Sequence, residues 1–272
     1  MNEHSNGWAV VTGASSGLGA EFARQLGAKG YDLVLVARRK DRLDELASQI
    51  HRDHQARVLT FERDLSETNA GGRLVSDLDR EAIAPVLLVN NAGIGQHGAA
   101  VDLSIAQALH MIRLNVGALT ELALELGKRM ALRGSGAIIN VASTAAFQPT
   151  PYFAVYAATK AYVASLSQAL SCELSPRGVR VLAHCPGPTR TEFFSANGVD
   201  VGAYESMAMS TERCVRVALR ALERRRWLVV PGFLNRLGAW AAQVMPTWLV
   251  IRVAARVMRP PTPKSGNSPT SP

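Results

Sequence analysis

The chain is expected to fold as an α/β protein: one doubly wound domain on a seven-stranded parallel sheet, with helices on both faces. Three observations carry this expectation. Short apolar runs alternate with helical stretches from the start of the chain. Most of these runs are continuously apolar, as strands covered on both faces require. No internal repeat or linker divides the 272 residues, a length that one such domain accommodates.

Taken in order, the candidate strands are Trp8–Thr12, Leu33–Ala37, Arg57–Phe61, Val86–Asn90, Ala137–Val141, Val179–His184 and Trp227–Val230. Between them, Gly17–Ala28, Asp41–Ile50 and Ala118–Arg133 carry helical periodicity. Alternating strands and helices imply right-handed crossovers and hence parallel pairing. The domain is expected over residues 1–231. Residues 232–259 read as an apolar and basic extension, broken into two helices at Pro246. Residues 260–272, rich in proline and serine, read as a disordered tail.

Composition excludes several classes. With 47% hydrophobic and 19% charged residues the chain is globular, not disordered. Cys172, Cys185 and Cys214 are scattered, which fits no disulfide framework and makes a cytoplasmic location the expectation. From the polar start no secretory signal is expected, and no apolar run reaches the roughly 20 residues of a membrane span. Much of the formal charge of +8 comes late, between Arg213 and Arg226 and between Arg236 and Arg259. No nucleic-acid motif accompanies it, so nucleic acid is not an expected partner. His51 and His54 lack a cysteine partner, and no metal is expected.

Directly after the first strand comes Thr12-Gly13-Ala14-Ser15-Ser16-Gly17-Leu18-Gly19. Strand, glycine-rich turn and helix start follow in the order that binds a pyrophosphate. Gly13 suits the tight turn, Gly17 lets backbone approach phosphate, and Gly19 permits close helix–strand packing. Amides at the helix N-terminus then face the anion. A turn of this kind can equally serve packing alone. The second strand runs into Arg38 and Arg39, where NAD-preferring Rossmann-type domains carry an acid. A carboxylate would repel a 2′-phosphate, whereas a guanidinium can bind it, with Ser15 as a further donor. The expected cofactor is therefore NADP(H), the bland reading of both arginines being solvated surface charge. Asp64, next to Leu65, can cap the following helix, and Asn90-Asn91-Ala92-Gly93 taken blind is a turn signal.

Tyr156 and Lys160 are four residues apart, which on a helix points both side chains into one space. A free phenol with a pKa near 10 is only about 0.1% ionised at neutral pH, and a nearby cation can lower that pKa by roughly 1–3 pH units. Lys160 is thus expected to lower the pKa of Tyr156 and make it a working acid or base. Ser143 stands thirteen residues earlier, just past an apolar strand. Parallel sheets bind ligands at that end, so its hydroxyl can meet a substrate oxygen. Asn115 is a polar amide in an apolar helix, ordinarily a satisfied buried group.

Together these motifs resemble the classical short-chain dehydrogenase/reductase family, over residues 8–191. The matching features are the Thr-Gly-x3-Gly-x-Gly turn, Asp64, Asn91-Ala92-Gly93, Asn115, Ser143, Tyr156-x3-Lys160 and Pro186-Gly187. The resemblance implies that Asp64 and Leu65 hold adenine, and that Asn91, Ala92 and Gly93 border the ribose. It also implies that Pro186, Gly187, Thr189 and Thr191 contact the carboxamide and phosphates, with Tyr156 and Lys160 touching the cofactor too. By the same resemblance Asn115 holds a water linking Lys160 to solvent, and the chain forms a homodimer or homotetramer through helices near 117–133 and 155–174. Its subgroup resembles NADP-dependent bacterial oxidoreductases.

The resulting expectation is an NADP(H)-dependent oxidoreductase that moves a hydride between the nicotinamide and a small-molecule carbonyl or secondary alcohol. Its competitor is a catalytically silent NADP(H)-sensing protein on the same fold. Candidate substrate walls are Ala145, Ala146, Phe147, Pro149 and Phe153, then Phe193, Phe194, Tyr204, Met207 and Met209, with a lid over 190–212. This apolar set suits an apolar substrate and equally suits loop packing. Two readings of 232–259 stay open: packing over the pocket or a neighbouring subunit, and peripheral contact with an anionic membrane.

Overall fold

The seven apolar runs become one parallel sheet: β1 (Trp8–Thr12), β2 (Asp32–Ala37), β3 (Val58–Glu62), β4 (Leu87–Asn90), β5 (Gly136–Val141), β6 (Val179–His184) and β7 (Leu228–Val229). The structure is a computed structural model and describes residues 6–193 and 208–260. Strand order is β3-β2-β1-β4-β5-β6-β7. Val10 of β1 pairs with Val34 of β2 on one side and Leu88 of β4 on the other. Strand order therefore reverses at β1, and the crevice beyond the carboxyl ends of β1 and β4 is where such sheets bind ligands.

Strand alternation sorts the core into two layers. Val11, Leu33, Leu35, Val89 and Ile139 face α1 (Gly17–Ala28), α2 (Lys40–His54) and, later in the chain, α7 (Thr211–Glu223). Val10, Val34, Val36, Leu88 and Ile138 face the opposite set: α3 (Ala70–Arg80), α5 (Leu119–Arg133) and α6 (Ala154–Leu174). Helix α2 outruns its expected end at Ile50 and stops where Gln55 turns left-handed, with φ 55°. A short helix α4 (Ile105–Ile112) passes through a π-helical turn, Arg113–Ala118, into α5. The helix expected from Ala118 is thus the second part of a longer, interrupted one.

A chain of buried amides fixes α6 to the sheet. Asn90 donates to Asn140 Oδ1 at 3.0 Å, Asn140 donates to Ser167 Oγ at 3.0 Å, and Ser167 donates to the Val163 carbonyl at 2.6 Å. Buried polar groups cost free energy when unpaired, so this network holds α6 in one position along β4 and β5. Beyond β7 come α8 (Phe233–Val244) and α9 (Thr247–Met258), with Pro246 between them. Helix α8 lies against the turn after β5, and the Met258 carbonyl meets His97 Nε2 at 2.7 Å. The extension therefore packs back on the domain.

Candidate active site

One cavity of about 820 Å³ runs from the turn after β1, past the ends of β4, β5 and β6, to α8 and α9. At its floor Gly13 (φ 65°) and Gly17 (φ 55°) take left-handed backbone that favours glycine. A Cβ on Gly19 would fall 2.2 Å from the Gly13 carbonyl oxygen, so α1 sits against the turn only because that side chain is missing. Asn91 clamps the turn from β4: its Nδ2 donates to the Thr12 carbonyl at 2.9 Å, and the amides of Asn91 and Ala92 each donate to Thr12 Oγ1 at 3.0 Å. Gly13, Ser15, Ser16, Gly17 and Leu18 line the cavity; Gly19 lies behind it.

The two arginines take different places. Arg39 donates to Ser15 Oγ at 3.1 Å and to Ser16 Oγ at 2.7 Å, which sets its guanidinium over the turn. Arg38 is more exposed and approaches Asp64 at 3.8 Å. Both line the cavity, as do Asp64 and Leu65. Asp64 accepts from the Ser66 amide at 2.9 Å within the turn that follows it; it does not cap α3, which starts at Ala70 behind Asn69. Sequence reasoning missed Glu192, which pairs with Arg39 at 3.3 Å and Arg42 at 2.9 Å. Hydrogen bonds from Arg42 and Arg39 hold its carboxyl below the usual range.

Ser143, Tyr156 and Lys160 converge on the cavity, with Asn115 directly behind them. Ser143 follows β5, accepts from the Ala145 amide at 3.1 Å and hydrogen-bonds the Tyr156 side chain. Lys160 donates to the Val141 carbonyl at 2.8 Å and lies 5.7 Å from the Tyr156 ring centroid. Asn115 spends its side chain on the protein: it accepts from the Ile94 amide at 3.0 Å and donates to the Ile94 carbonyl and Thr159 Oγ1. It therefore locks the loop after β4 to α6. Gly93 keeps the gap open, since a Cβ there would stand 3.3 Å from Lys160 Nζ.

One expectation is corrected. Burial pushes the Tyr156 phenol up to about 12, and the hydrogen bond with Ser143 offsets only part of that rise. Desolvation of the whole ring outweighs a cation whose nearest hydrogen bond goes to Val141. Burial also brings the Lys160 ammonium down from 10.5 to about 8. Between those values the unfolded chain holds the proton more tightly than the folded one, so folding is penalised at low pH and relieved as pH rises. Lys160→Met should remove a penalty of roughly 3 kcal/mol, less about 1 kcal/mol for the lost hydrogen bond. Its Tm should exceed that of the wild type at pH 7, with the gap closing between pH 8 and 10. A gap that stays constant across this window would refute the buried ammonium.

Of the expected substrate walls, Ala145, Phe153 and Phe193 line the cavity. Phe153 and Phe193 flank Tyr156, with ring centroids 4.4 and 5.4 Å away. Phe147 does not line it, because the short helical turn after Ser143 carries that ring toward Val163 and Cys185. Ala146 and Pro149 are not lining residues either, and Met209 pairs with Thr189 at the cavity's edge. Phe194, Tyr204, Met207 and most of the expected lid lie outside the described residues. Pro186, Gly187, Thr189 and Thr191 line the side beyond β6. The extension supplies a further wall, as its reading as packing over the pocket has it, through residues not named from the sequence: Gly238, Ala241 and Ala242 of α8, Met245 just after it, then Val250, Val253, Ala254 and Val257 of α9. Their spacing at three and four residues was the available signal.

A family model described as short chain dehydrogenase matches residues 7–201. A very-long-chain 3-oxoacyl-CoA reductase from Phaeosphaeria nodorum is 36% identical over 184 residues, 64% of this chain and 52% of that protein. The chain thus spans about half the length of that relative. A 7beta-hydroxysteroid dehydrogenase from Clostridium sardiniense is 29% identical over 232 residues, covering 84% of this chain and 87% of that one. Among solved structures, a short-chain dehydrogenase from Sphingobium yanoikuyae in complex with NADPH aligns with a TM-score of 0.80 and 37% identity, over 86% of this chain and 91% of that one.

Proposed function

Since the chain belongs to the short-chain dehydrogenase family, we propose that it is an NADP(H)-dependent oxidoreductase acting on an apolar carbonyl or the matching secondary alcohol. The observation that carries this reading is the convergence of Ser143, Tyr156 and Lys160 on a cavity that also holds the glycine turn and Arg39. The residues fit the cofactor. Backbone freed by Gly13 and Gly17 suits a pyrophosphate, and Arg39 with Ser15 and Ser16 offers donors to a 2′-phosphate. The space beside Gly93 leaves Lys160 open to a ribose. The Sphingobium relative is complexed with NADPH, which points the same way.

When bound, NADPH supplies a hydride to the carbonyl carbon. The chain's own residues handle the oxygen. Ser143 donates a hydrogen bond that orients it, and Tyr156 gives its proton as negative charge develops there. A phenol held up to about 12 is fully protonated at neutral pH, the state reduction needs. Lys160 returns positive charge to the site, with Asn115 as a positioning residue and the support of a water relay. A silent sensor has no use for this set, and that reading is not favoured. The apolar walls from Phe153, Phe193, α8 and α9 favour a bulky apolar substrate, in line with the acyl and steroid names of two relatives.

NADPH absorbance over a ketone series of rising apolar size tests the reading. Expected kcat/KM rises by at least tenfold from acetone to a ketone with a ring or long chain. Equal rates along the series would refute the apolar pocket, and no NADPH binding would refute the cofactor. Exposed Ile105, Leu109, Ile112, Leu124 and Tyr162 on α4 to α6 suit a second copy of this chain, which a monomeric mass by light scattering would remove. Free thiols, including exposed Cys172, suit a reducing cytoplasm.

A further inference from the structure

Helices α8 and α9 are two-faced. One stripe lines the cavity, from Gly238 to Met245 and from Val250 to Val257. The other stripe points outward and is apolar as well: Phe233, Trp240 and Trp248 are 69%, 60% and 59% exposed, with Leu237, Val244 and Ile251 beside them. An exposed apolar patch of this kind marks a surface that meets something. Its charges say what. Arg236 and Arg252 lie over the rings of Phe233 and Trp248, at 5.8 and 5.2 Å, and Arg256 and Arg259 follow. From residue 232 to residue 272 the sequence contains no Asp or Glu.

From this we propose that the outer face of the α8–α9 hairpin seats the protein in the plane of an anionic lipid bilayer, and that the cavity beneath takes its substrate from that bilayer. The second half rests on the proposed carbonyl reduction; the first does not. Tryptophan at the headgroup level, apolar side chains below it and arginines reaching anionic lipid are what an interfacial helix presents. Each helix has 12 residues, about 18 Å of length, against a hydrocarbon core of about 30 Å, so the pair lies in the interface and does not span it. A second copy fits the face poorly, because a two-fold contact would set arginines against arginines with no carboxylate between them. Val253 and Val257 both line the cavity and stay half exposed, so the cavity wall grades into the docking face.

The test uses the full chain and vesicles of phosphatidylcholine with or without 30% phosphatidylglycerol, without cofactor or substrate. Binding to anionic vesicles is expected to exceed binding to neutral ones at least tenfold and to weaken in 0.5 M salt. Trp240→Ser with Trp248→Ser should lower the bound fraction at least tenfold, as should Arg252→Gln with Arg256→Gln. The second pair leaves the apolar face intact, so a folding defect in the first cannot mimic the result. Equal pelleting with both vesicle types, or no loss in either double variant, overturns the docking face; so does a variant that dissociates a dimer while vesicles stay unbound. Turnover of a water-soluble ketone by NADPH is read separately. Should it persist while vesicle binding fails, the docking proposal falls and the reductase reading stands. If vesicles bind, a bilayer-dissolved ketone should be reduced by the wild type at least fivefold faster than by the tryptophan variant, with the soluble ketone unchanged; equal rates overturn delivery from the bilayer.

Discussion

Tyr156→Phe should lower kcat by about 10²–10⁴-fold, the range that positioned acid–base catalysis supplies, or roughly 3–5 kcal/mol in the barrier. The phenyl ring keeps its contacts with Phe153 and Phe193, at 4.4 and 5.4 Å. Only the hydroxyl, and its hydrogen bond with Ser143, is removed. NADPH affinity should therefore change by no more than about twofold, and the fold should be as stable as before, since a buried polar group has been deleted. Single-turnover kinetics with saturating NADPH separates the two quantities. A variant that retains more than a tenth of wild-type turnover would remove Tyr156 from the chemistry.

Arg39→Asp should shift the ratio of kcat/KM for NADPH over NADH by roughly 10²-fold toward NADH, whereas Arg38→Asp should shift it less. A hydrogen bond to a charged group contributes about 1.5–3 kcal/mol, and the new carboxylate adds repulsion toward a 2′-phosphate. Arg39 is the arginine tied to Ser15 and Ser16 over the turn, while Arg38 extends toward Asp64. Because both cofactors share every other group, taking their ratio cancels any general disturbance of the turn. Glu192 sharpens the contrast, since its carboxylate already engages Arg39 and Arg42. If neither substitution moves the ratio, the arginines are surface charge and the basis for NADP preference is lost.

Much of this architecture was legible because parallel strands buried on both faces leave continuous apolar runs. Leu33 to Ala37 could hardly read otherwise, and all of β2 is buried. The glycine turn was equally legible, as Gly13, Gly17 and Gly19 each answer a local steric demand. What stayed hidden depends on depth and direction. Sequence spacing brought Tyr156 and Lys160 together but could not say that burial, not the ammonium, dominates the phenol. Adjacent Arg38 and Arg39 were indistinguishable until backbone direction sent one over the turn. Phe147 read as a pocket wall because nothing local reveals which way a short helical turn faces. Residues 232–259 carried two apolar stripes at once, and mixed periodicities obscure each other.

On the proposed function, the roof formed by α8 and α9 places substrate selection apart from chemistry along the chain. The proposed proton-handling residues Ser143, Tyr156 and Lys160 lie before residue 161, whereas much of the cavity's apolar wall lies beyond residue 237, outside the stretch that the family model matches. On that same proposed function, exchanging or lengthening the late hairpin would change the substrate accepted while the reacting groups stay as they were. A graft of residues 232–259 onto another member would carry taste without touching the blade.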